Sequence, residues 1–380
     1  MMKRIYLYGY YGFGNVGDDL LLKSMLNFLD SRFPDTELIV RSLAPASVAR
    51  KYGKLTYQCG EATLYANCSK FERLRRYLRL QWDAMKCCDH IIFGGGTLFH
   101  AQNGNSTNLM LIVLIVLIGR LRGSKVHAVG VGVGKLSTRL SRVLFSGIVR
   151  FSELFLVRDV TSLDHCHRSL YFGSVTRTAD LVFTLPVHPS STVKRDQGVH
   201  LGITLGLTGV NADSANHSPF VEGFRAALNH WRGQGWSVTF LVFQDLHAES
   251  VTLSDRDSFH QVFGEQEGIE SLRVSSDLTV LEKQFAGFDC IVGMRYHSLV
   301  IATLLGIPFV GLGNDHKVAN LCDSLSMPVL PLQGFGASEL LMAVSRTVER
   351  APDPMRVQGL RQAAWDNFSQ LANVMGCESL

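Results

Sequence analysis

Two residues with chemical potential, Arg295 and His297, break an otherwise apolar stretch, "GMRYHSLVIATLLGIPFVGL" from Gly293 to Leu312. A guanidinium grips a carboxylate or phosphate through two parallel hydrogen bonds, and an imidazole carries a proton near neutral pH. Side by side they suit the binding and protonation of a small anion. "DCIVG" reads as a strand and "SLVIATLLG" as a helix ended by Gly306, which places Arg295, Tyr296 and His297 in the turn between them. Helix amides would face the same anion there. The plainer alternative is a capping histidine beside a structural arginine.

Other residues of this kind follow the same rule of position. "GNDHKVANL" offers Lys317 at the tip of the next strand, as a second anion clamp or a solvated lysine. "LVRDVTSLDHC" ends an apolar strand on Arg158, followed by Asp159 and a helix holding Ser162; a surface pairing of Arg158 with Asp159 is the bland reading. Asp180 stands at the entrance of "ADLVFTL", read as a further strand, where it either orients Arg158 or caps. Near the start, "GYYGFGNVGDDLLL" brings Gly9, Gly12, Gly14 and Gly17 between the first strand and an apolar-periodic helix, so that backbone amides can approach an anion. Gly14 and Asn15 are candidate substrate contacts in this loop. The spacing fits the dinucleotide pattern only if Asp18 and Asp19 are accepted beside a pyrophosphate, which two carboxylates would repel. These aspartates either receive sugar hydroxyls, supply a general base, or complement the helix dipole. "GGGTLF", with Gly95 and Gly96, forms a second backbone-rich wall after another strand.

The elements that hold these residues are strands alternating with helices. Apolar β-rich runs at 4–10, 37–43, 90–96, 125–133, 154–159 and 179–185 form one series; runs at 199–206, 236–243, 272–276, 289–295 and 308–313 form a second. Such alternation implies parallel sheets covered on both faces. "PVHPSSTVKRDQG", Pro186 to Gly198, reads as the linker, and from Ala337 the pattern is helical. The expected fold class is therefore α/β with two Rossmann-like doubly wound domains facing a cleft: residues 1–186, residues 199–345, and a tail over 346–380 that crosses back. In such sheets ligands bind beyond the carboxyl ends of the strands, where all the residues above are placed.

The chain has 380 residues, 46% hydrophobic and 18% charged, which suits a globular enzyme of two domains. Its 37 basic and 33 acidic residues give a net charge of +4, too small and too dispersed for a nucleic-acid binder. The one basic cluster, "KFERLRRYLRL" from Lys70 to Leu80, is expected to be a solvated helix face with its leucines inward; a helix resting on anionic lipid is the other reading. "LMLIVLIVLI", Leu109 to Ile118, is too short to span a bilayer and is expected to be a buried helix, with a membrane-dipping or subunit-contact helix as the alternative. The eight cysteines show neither CxxC pairs nor regular spacing, and the N-terminus reads as a strand rather than a leader. A cytoplasmic protein without disulfides, zinc or other metal is the expectation.

Taken together, "GYYGFGNVGDD", "GGGTLF", "VRDVTS" and "GMRYHSLVIATLLGIPFVGL" followed by "DHKVANL" resemble the polysaccharide pyruvyl transferase family over about Tyr8 to Leu321. The chain departs from the family pattern at Tyr296, where leucine is usual, at Asp19, where glutamate is common, and at His316, where proline is. The resemblance implies a GT-B-like fold, with the acceptor on the N-terminal side and the donor on the C-terminal side. It implies phosphoenolpyruvate as donor substrate, no cofactor, and a glycan or lipid-linked sugar as acceptor, with a cyclic pyruvate ketal as product. Matching positions assign Arg158, Arg295 and Lys317 to the donor and His297 to acid/base work, with Asp18 or Asp19 as base and Gly14, Asn15, Gly95, Gly96 and Tyr296 around the substrates. An acceptor carried on lipid would bring the protein to the inner membrane face. Two other classes stay open at this level. A nucleotide-sugar glycosyltransferase would use the same architecture, and Asp315 and Asp323 reproduce the spacing of its paired acids. A catalytically idle, glycan-binding homologue is the other, and homo-oligomerisation is left undecided.

Overall fold

The computed structural model describes residues 3–12, 14–42, 48, 52, 57–60, 69–101, 104–170, 173–187, 198–206, 219–245, 254–264, 266, 268–313, 315–333 and 335–376. Most of the expected linker lies outside them. The chain divides into two compact units. The first takes the described residues of Met1–Phe13, Asp18–Thr184 and Arg361–Leu380, and the second those of Gly14–Gly17 and Leu185–Leu360.

In the first unit the elements run β1 (Arg4–Tyr11), α1 (Val16–Arg32), β2 (Glu37–Ser42), β3 (Tyr57–Gly60), α2 (Lys70–Ala84), β4 (His90–Gly94), β5 (Thr97–Ala101), α3 (Thr107–Leu121), β6 (Lys125–Leu136), α4 (Arg139–Phe151), β7 (Leu154–Val157), α5 (Val160–His167) and β8 (Val175–Arg177). The strands form one parallel sheet in the order β3-β2-β1-β4-β6-β7-β8, with β5 added on β6. Strands covered on both faces need continuous apolar runs, and β1 and β4 supply them: Ile5, Leu7, Ile91 and Ile92 are fully buried. The crossovers that run in one direction along the sheet from β3 through β7 place α2, α3 and α4 over a single core in which Tyr77, Ile112 and Phe145 meet Phe93 and Phe99. α4 begins at a reciprocal cap between Thr138 and Ser141.

The expected strand over 179–185 is instead a 3-10 turn, Leu181–Thr184. Asp180 Oδ1 accepts the amide of Val182 at 3.0 Å, and this local bond winds the backbone before it can extend. Nearby, residues of the C-terminal helix from Arg361 onward belong to this unit: Phe368 stacks on Phe28 at 4.4 Å, and the buried Asn367 amide donates to Ala179 O at 2.9 Å.

The second unit contains β9 (His200–Thr204), α6 (Pro219–Gly233), β10 (Ser237–Val242), α7 (Asp255–Phe263), β11 (Ile269–Arg273), α8 (Leu278–Phe285), β12 (Cys290–Gly293), α9 (Tyr296–Leu305), β13 (Phe309–Leu312), α10 (His316–Leu325), β14 (Val329–Leu330), α11 (Ala337–Thr347) and the start of α12 (Pro354–Val374). Its parallel sheet has the order β11-β10-β9-β12-β13-β14. β11 begins three residues before the expected 272–276, because Ile269 through Arg273 pair with Val238 through Val242. In both sheets the first and fourth strands of the winding are neighbours (β1 with β4, β9 with β12), so each sheet has its switch point there.

Candidate active site

In the second unit the switch point opens at the ends of β9 and β12. The backbone leaves β12 at Gly293, Met294 N donates to Thr204 O at 2.8 Å, and Arg295 caps α9, which already begins at Tyr296. Tyr296 and His297 are thus first-turn helix residues rather than members of the turn before it. Every other residue of α9 is buried, and His297 alone on that helix is partly exposed. An apolar helix with one accessible imidazole at its N-terminus accounts for the interrupted hydrophobic run. Tyr296 is buried and sets its ring edge-on to the imidazole at 5.3 Å. Gly306, at φ 70°, ends the helix in the left-handed conformation.

Arg295 is fixed from two sides. One guanidinium nitrogen pairs with Asp255 Oδ1, whose carboxylate is almost fully buried at the start of α7. Asp255 Oδ2 accepts the amides of Phe243 at 3.1 Å and Gln244 at 2.9 Å, so the carboxylate is itself held in place. Gly206 lies against the guanidinium; a Cβ there would stand 3.2 Å from Cζ. The buried Nε of Arg295 has no hydrogen-bond partner among the described residues, while about a fifth of the side chain is exposed.

The segment Gly14–Gly17 belongs to this unit too. Val16 N donates to Phe243 O at 3.0 Å, Asp245 N to Gly14 O at 3.1 Å, and Asn15 bridges Gln244. Asn15 Oδ1 accepts the Gly17 amide at 2.9 Å, a cap on the first turn of α1. Gly17 is pressed onto His297: an added Cβ would lie 2.7 Å from Cε1 and closer still to Nδ1. At the tip of β13, adjacent to β12, Asp315 caps α10, and its carboxylate pairs with Lys317 Nζ at 2.9 Å. The acid is half exposed, so an ion pair of this kind is worth at most about 1 kcal/mol and yields readily to an anionic ligand. Asp323 is exposed farther along α10.

In the first unit, Asp18 and Asp19 lie in the first turn of α1, where they complement its dipole. Gly95 and Gly96 follow β4 at φ 65° and 72°, and Asp18 Oδ1 stands 3.6 Å from where a Cβ of Gly96 would be. Burial pushes the Tyr10 hydroxyl up to about 12, with the Asp18 carboxylate adding to the rise; burial and then Asp18 raise Tyr11 likewise. Both phenols therefore remain protonated beside that carboxylate. Asp19 O accepts the Tyr52 hydroxyl at 3.0 Å.

Arg158 stands at the tip of β7, deeply buried. It donates to Asp180 Oδ2 and to Thr97 Oγ1, each at 3.0 Å, and Asp159 lies 3.4 Å from its Nε. Asp159 also caps α5 by accepting from Ser162 N at 2.7 Å. Near the beginnings of β4 and β6, His90 Nδ1 and His127 Nε2 lie 3.1 Å apart in the core, a pair that can share one proton. Burial pushes His127 down to about 3, aided by His90, Lys125 and Arg120, and lowers His90 as well.

Three positions escaped the sequence reading. Asp255 sits 40 residues before its partner Arg295 in a charge-rich helix start, and its only local signature is the capping box of Ser254 and Asp257 around it. Thr97 lies within "GGGTLF" and Gly206 closes the run 199–206, but neither stands out there as a contact of an arginine. Among the described residues no group of three or more His, Cys, Asp or Glu side chains gathers as a metal cluster, and no helix is long and apolar enough to cross a membrane. Cys87, Cys88, Cys166, Cys290 and Cys322 are unbonded.

Two parallel sheets of this winding, each with polar residues at its switch point, define a GT-B-type α/β enzyme fold. Solved structures agree: UDP-GlcNAc 2-epimerase from Methanocaldococcus jannaschii matches with a TM-score of 0.64 at 11% identity over 99% of both chains. The Neisseria meningitidis UDP-GlcNAc 2-epimerase matches at 0.59 and 12% identity over 98% of this chain and 100% of its own. Trehalose-6-phosphate synthase OtsA matches at 0.56 and 10% identity over 100% of both. At such identities the likeness concerns fold. No curated protein matches the chain. The family model for polysaccharide pyruvyl transferase matches residues 15–316, from the Asn15 loop to the start of α10, and the chain belongs to that family.

Proposed function

We propose that the protein transfers the pyruvyl group of phosphoenolpyruvate to two hydroxyls of a sugar in a glycan or lipid-linked saccharide, forming a cyclic ketal. The observation that carries this reading is the pairing of family membership with Arg295, His297 and Lys317 at the N-termini of α9 and α10, behind adjacent strands. Helix N-termini and cations suit a donor that bears both a phosphate and a carboxylate.

In the proposed reaction a sugar hydroxyl adds to C2 of the enol while C3 receives a proton and becomes a methyl group. The second hydroxyl then attacks C2, the C2–O bond to phosphate breaks, and its proton leaves with the phosphate or a base. Arg295 and Lys317 hold donor charge, Lys317 exchanging Asp315 for the ligand. His297 moves the proton, Asp18 or Asp19 accepts one from the sugar, and Arg158 with Thr97 fixes the backbone around the first unit's strand tips. The family reading gives Arg158 a donor contact as well. Burial of Asp255 beneath Arg295 keeps the guanidinium oriented before substrate arrives, which lowers the cost of ordering it.

The test is transfer of label from carbon-labelled phosphoenolpyruvate to an acceptor glycan, with equimolar phosphate release and no loss on addition of chelator. Label transfer by His297→Ala at the wild-type rate would refute the assignment.

A further inference from the structure

The outer surfaces of α2, α3 and α4 combine exposed apolar side chains with basic ones. These three helices lie over one core of the first unit. On α2, Leu78 and Leu80 turn inward as a solvated helix requires, but Phe71 (78% exposed) and Trp82 (48%) turn outward. They are 11 residues apart, three helical turns, and so share one side with Arg75 between them. On α3, Leu117 and Leu121 (83% exposed) form an outward stripe of the same kind, and on α4 Leu140 and Phe151, again 11 residues apart, do. Arg122, which caps α3, covers the Trp82 ring at 3.9 Å, so the α2 and α3 surfaces meet.

Charge follows the same layer. The three helices contain nine basic residues and two acidic ones, a net +7 in a chain whose total is +4; everything else is therefore net negative by 3. α4 has three arginines and no acid. Scattered exposed leucines need no explanation, but aromatic and aliphatic side chains interleaved with arginine over three neighbouring helices match one environment. At a bilayer surface, aromatic and aliphatic groups enter the boundary between headgroups and chains while guanidinium groups meet lipid phosphate. A second copy is a poorer occupant, because apposing two such faces would bring a net +7 against a net +7. Nucleic acid would leave the aliphatic stripes without a partner.

We infer that the α2–α3–α4 layer of the first unit docks on an anionic lipid surface. The docking is read by binding alone, so its failure is distinguishable from failure of the pyruvyl-transfer reading.

The experiment uses the full chain sedimented with phosphatidylcholine vesicles, with and without phosphatidylglycerol, at about 0.05 M and about 0.5 M salt. Expected is binding to the anionic vesicles at low salt, reduced at least about 10-fold at high salt. The double variants Arg75→Glu with Arg79→Glu, and Phe71→Ser with Trp82→Ser, are each expected to lose binding about 10-fold or more while the thermal midpoint holds, since all four residues are exposed. Absence of sedimentation, equal binding to neutral vesicles, or wild-type binding by both variants would overturn the proposal. So would a dimer that Leu121→Asp converts to monomer, in a protein that ignores lipid.

Discussion

Gly17 and His297 are in contact so close that no side chain fits between them: a Cβ on Gly17 would occupy the space of the imidazole. The histidine's position is thus set by a residue 280 positions earlier, within the same compact unit. Gly17→Ala is expected to displace the ring and lower turnover by about 100-fold, the range of a lost general acid or base. The double variant Gly17→Ala with His297→Ala should be no slower than His297→Ala alone, as for two changes that act through one group. Steady-state label transfer checks both.

Asp255 is a positioning residue for Arg295. Asp255→Asn removes the charge that holds the guanidinium and is expected to weaken donor binding about 10-fold, close to 1.4 kcal/mol, with a smaller effect on the bound-state rate. Combined with Arg295→Gln, the loss should fall short of the sum of the single losses. Calorimetric titration of the three variants decides it; additive losses would make Asp255 merely structural.

The Arg158–Asp180 pair is a matter of stability as much as of function. Both side chains are buried, and Arg158→Ala leaves the Asp180 carboxylate without its main counter-charge. A cost of about 3–5 kcal/mol is expected, and adding Asp180→Asn should recover part of it. Urea unfolding midpoints of the single and double variants measure both terms.

His90 and His127 give stability a pH dependence. In the folded chain His127 binds its proton only near pH 3, whereas an exposed imidazole does so near 6.5. Between those values the unfolded chain holds more protons, so stability falls as pH drops below about 6.5, by up to about 1.4 kcal/mol per pH unit, and is unaffected by this group above it. His127→Leu should flatten the slope in urea midpoints measured from pH 7.5 to pH 5.

Sheet winding and the placement of Arg158 and Arg295 just beyond strand ends were legible because buried parallel strands write themselves as apolar runs, whereas His297 and Lys317 prove to lie in the first turns of α9 and α10. What stayed hidden depends on contacts distant in sequence. Asp180 looked like the start of a strand, but its bond to Val182 N makes a 3-10 turn and leaves its other oxygen for Arg158. "GGGTLF" read as a backbone-rich wall after a strand, and its Thr97 opens a further strand, Thr97–Ala101, that pairs with β6. Gly17 and Asp255 carry no signal of their own roles, since only the folded chain brings them to His297 and Arg295. The basic cluster of α2 was legible as a run of arginines, but that α3 and α4 lie beside it over one core shows only in the fold.

The most direct test of the central claim is calorimetric titration of the full chain with phosphoenolpyruvate and, separately, with uridine diphosphate. Phosphoenolpyruvate is expected to bind, its binding to be lost in Arg295→Ala, and uridine diphosphate to give no heat. Binding of uridine diphosphate without phosphoenolpyruvate would contradict it and point to a nucleotide-sugar enzyme instead.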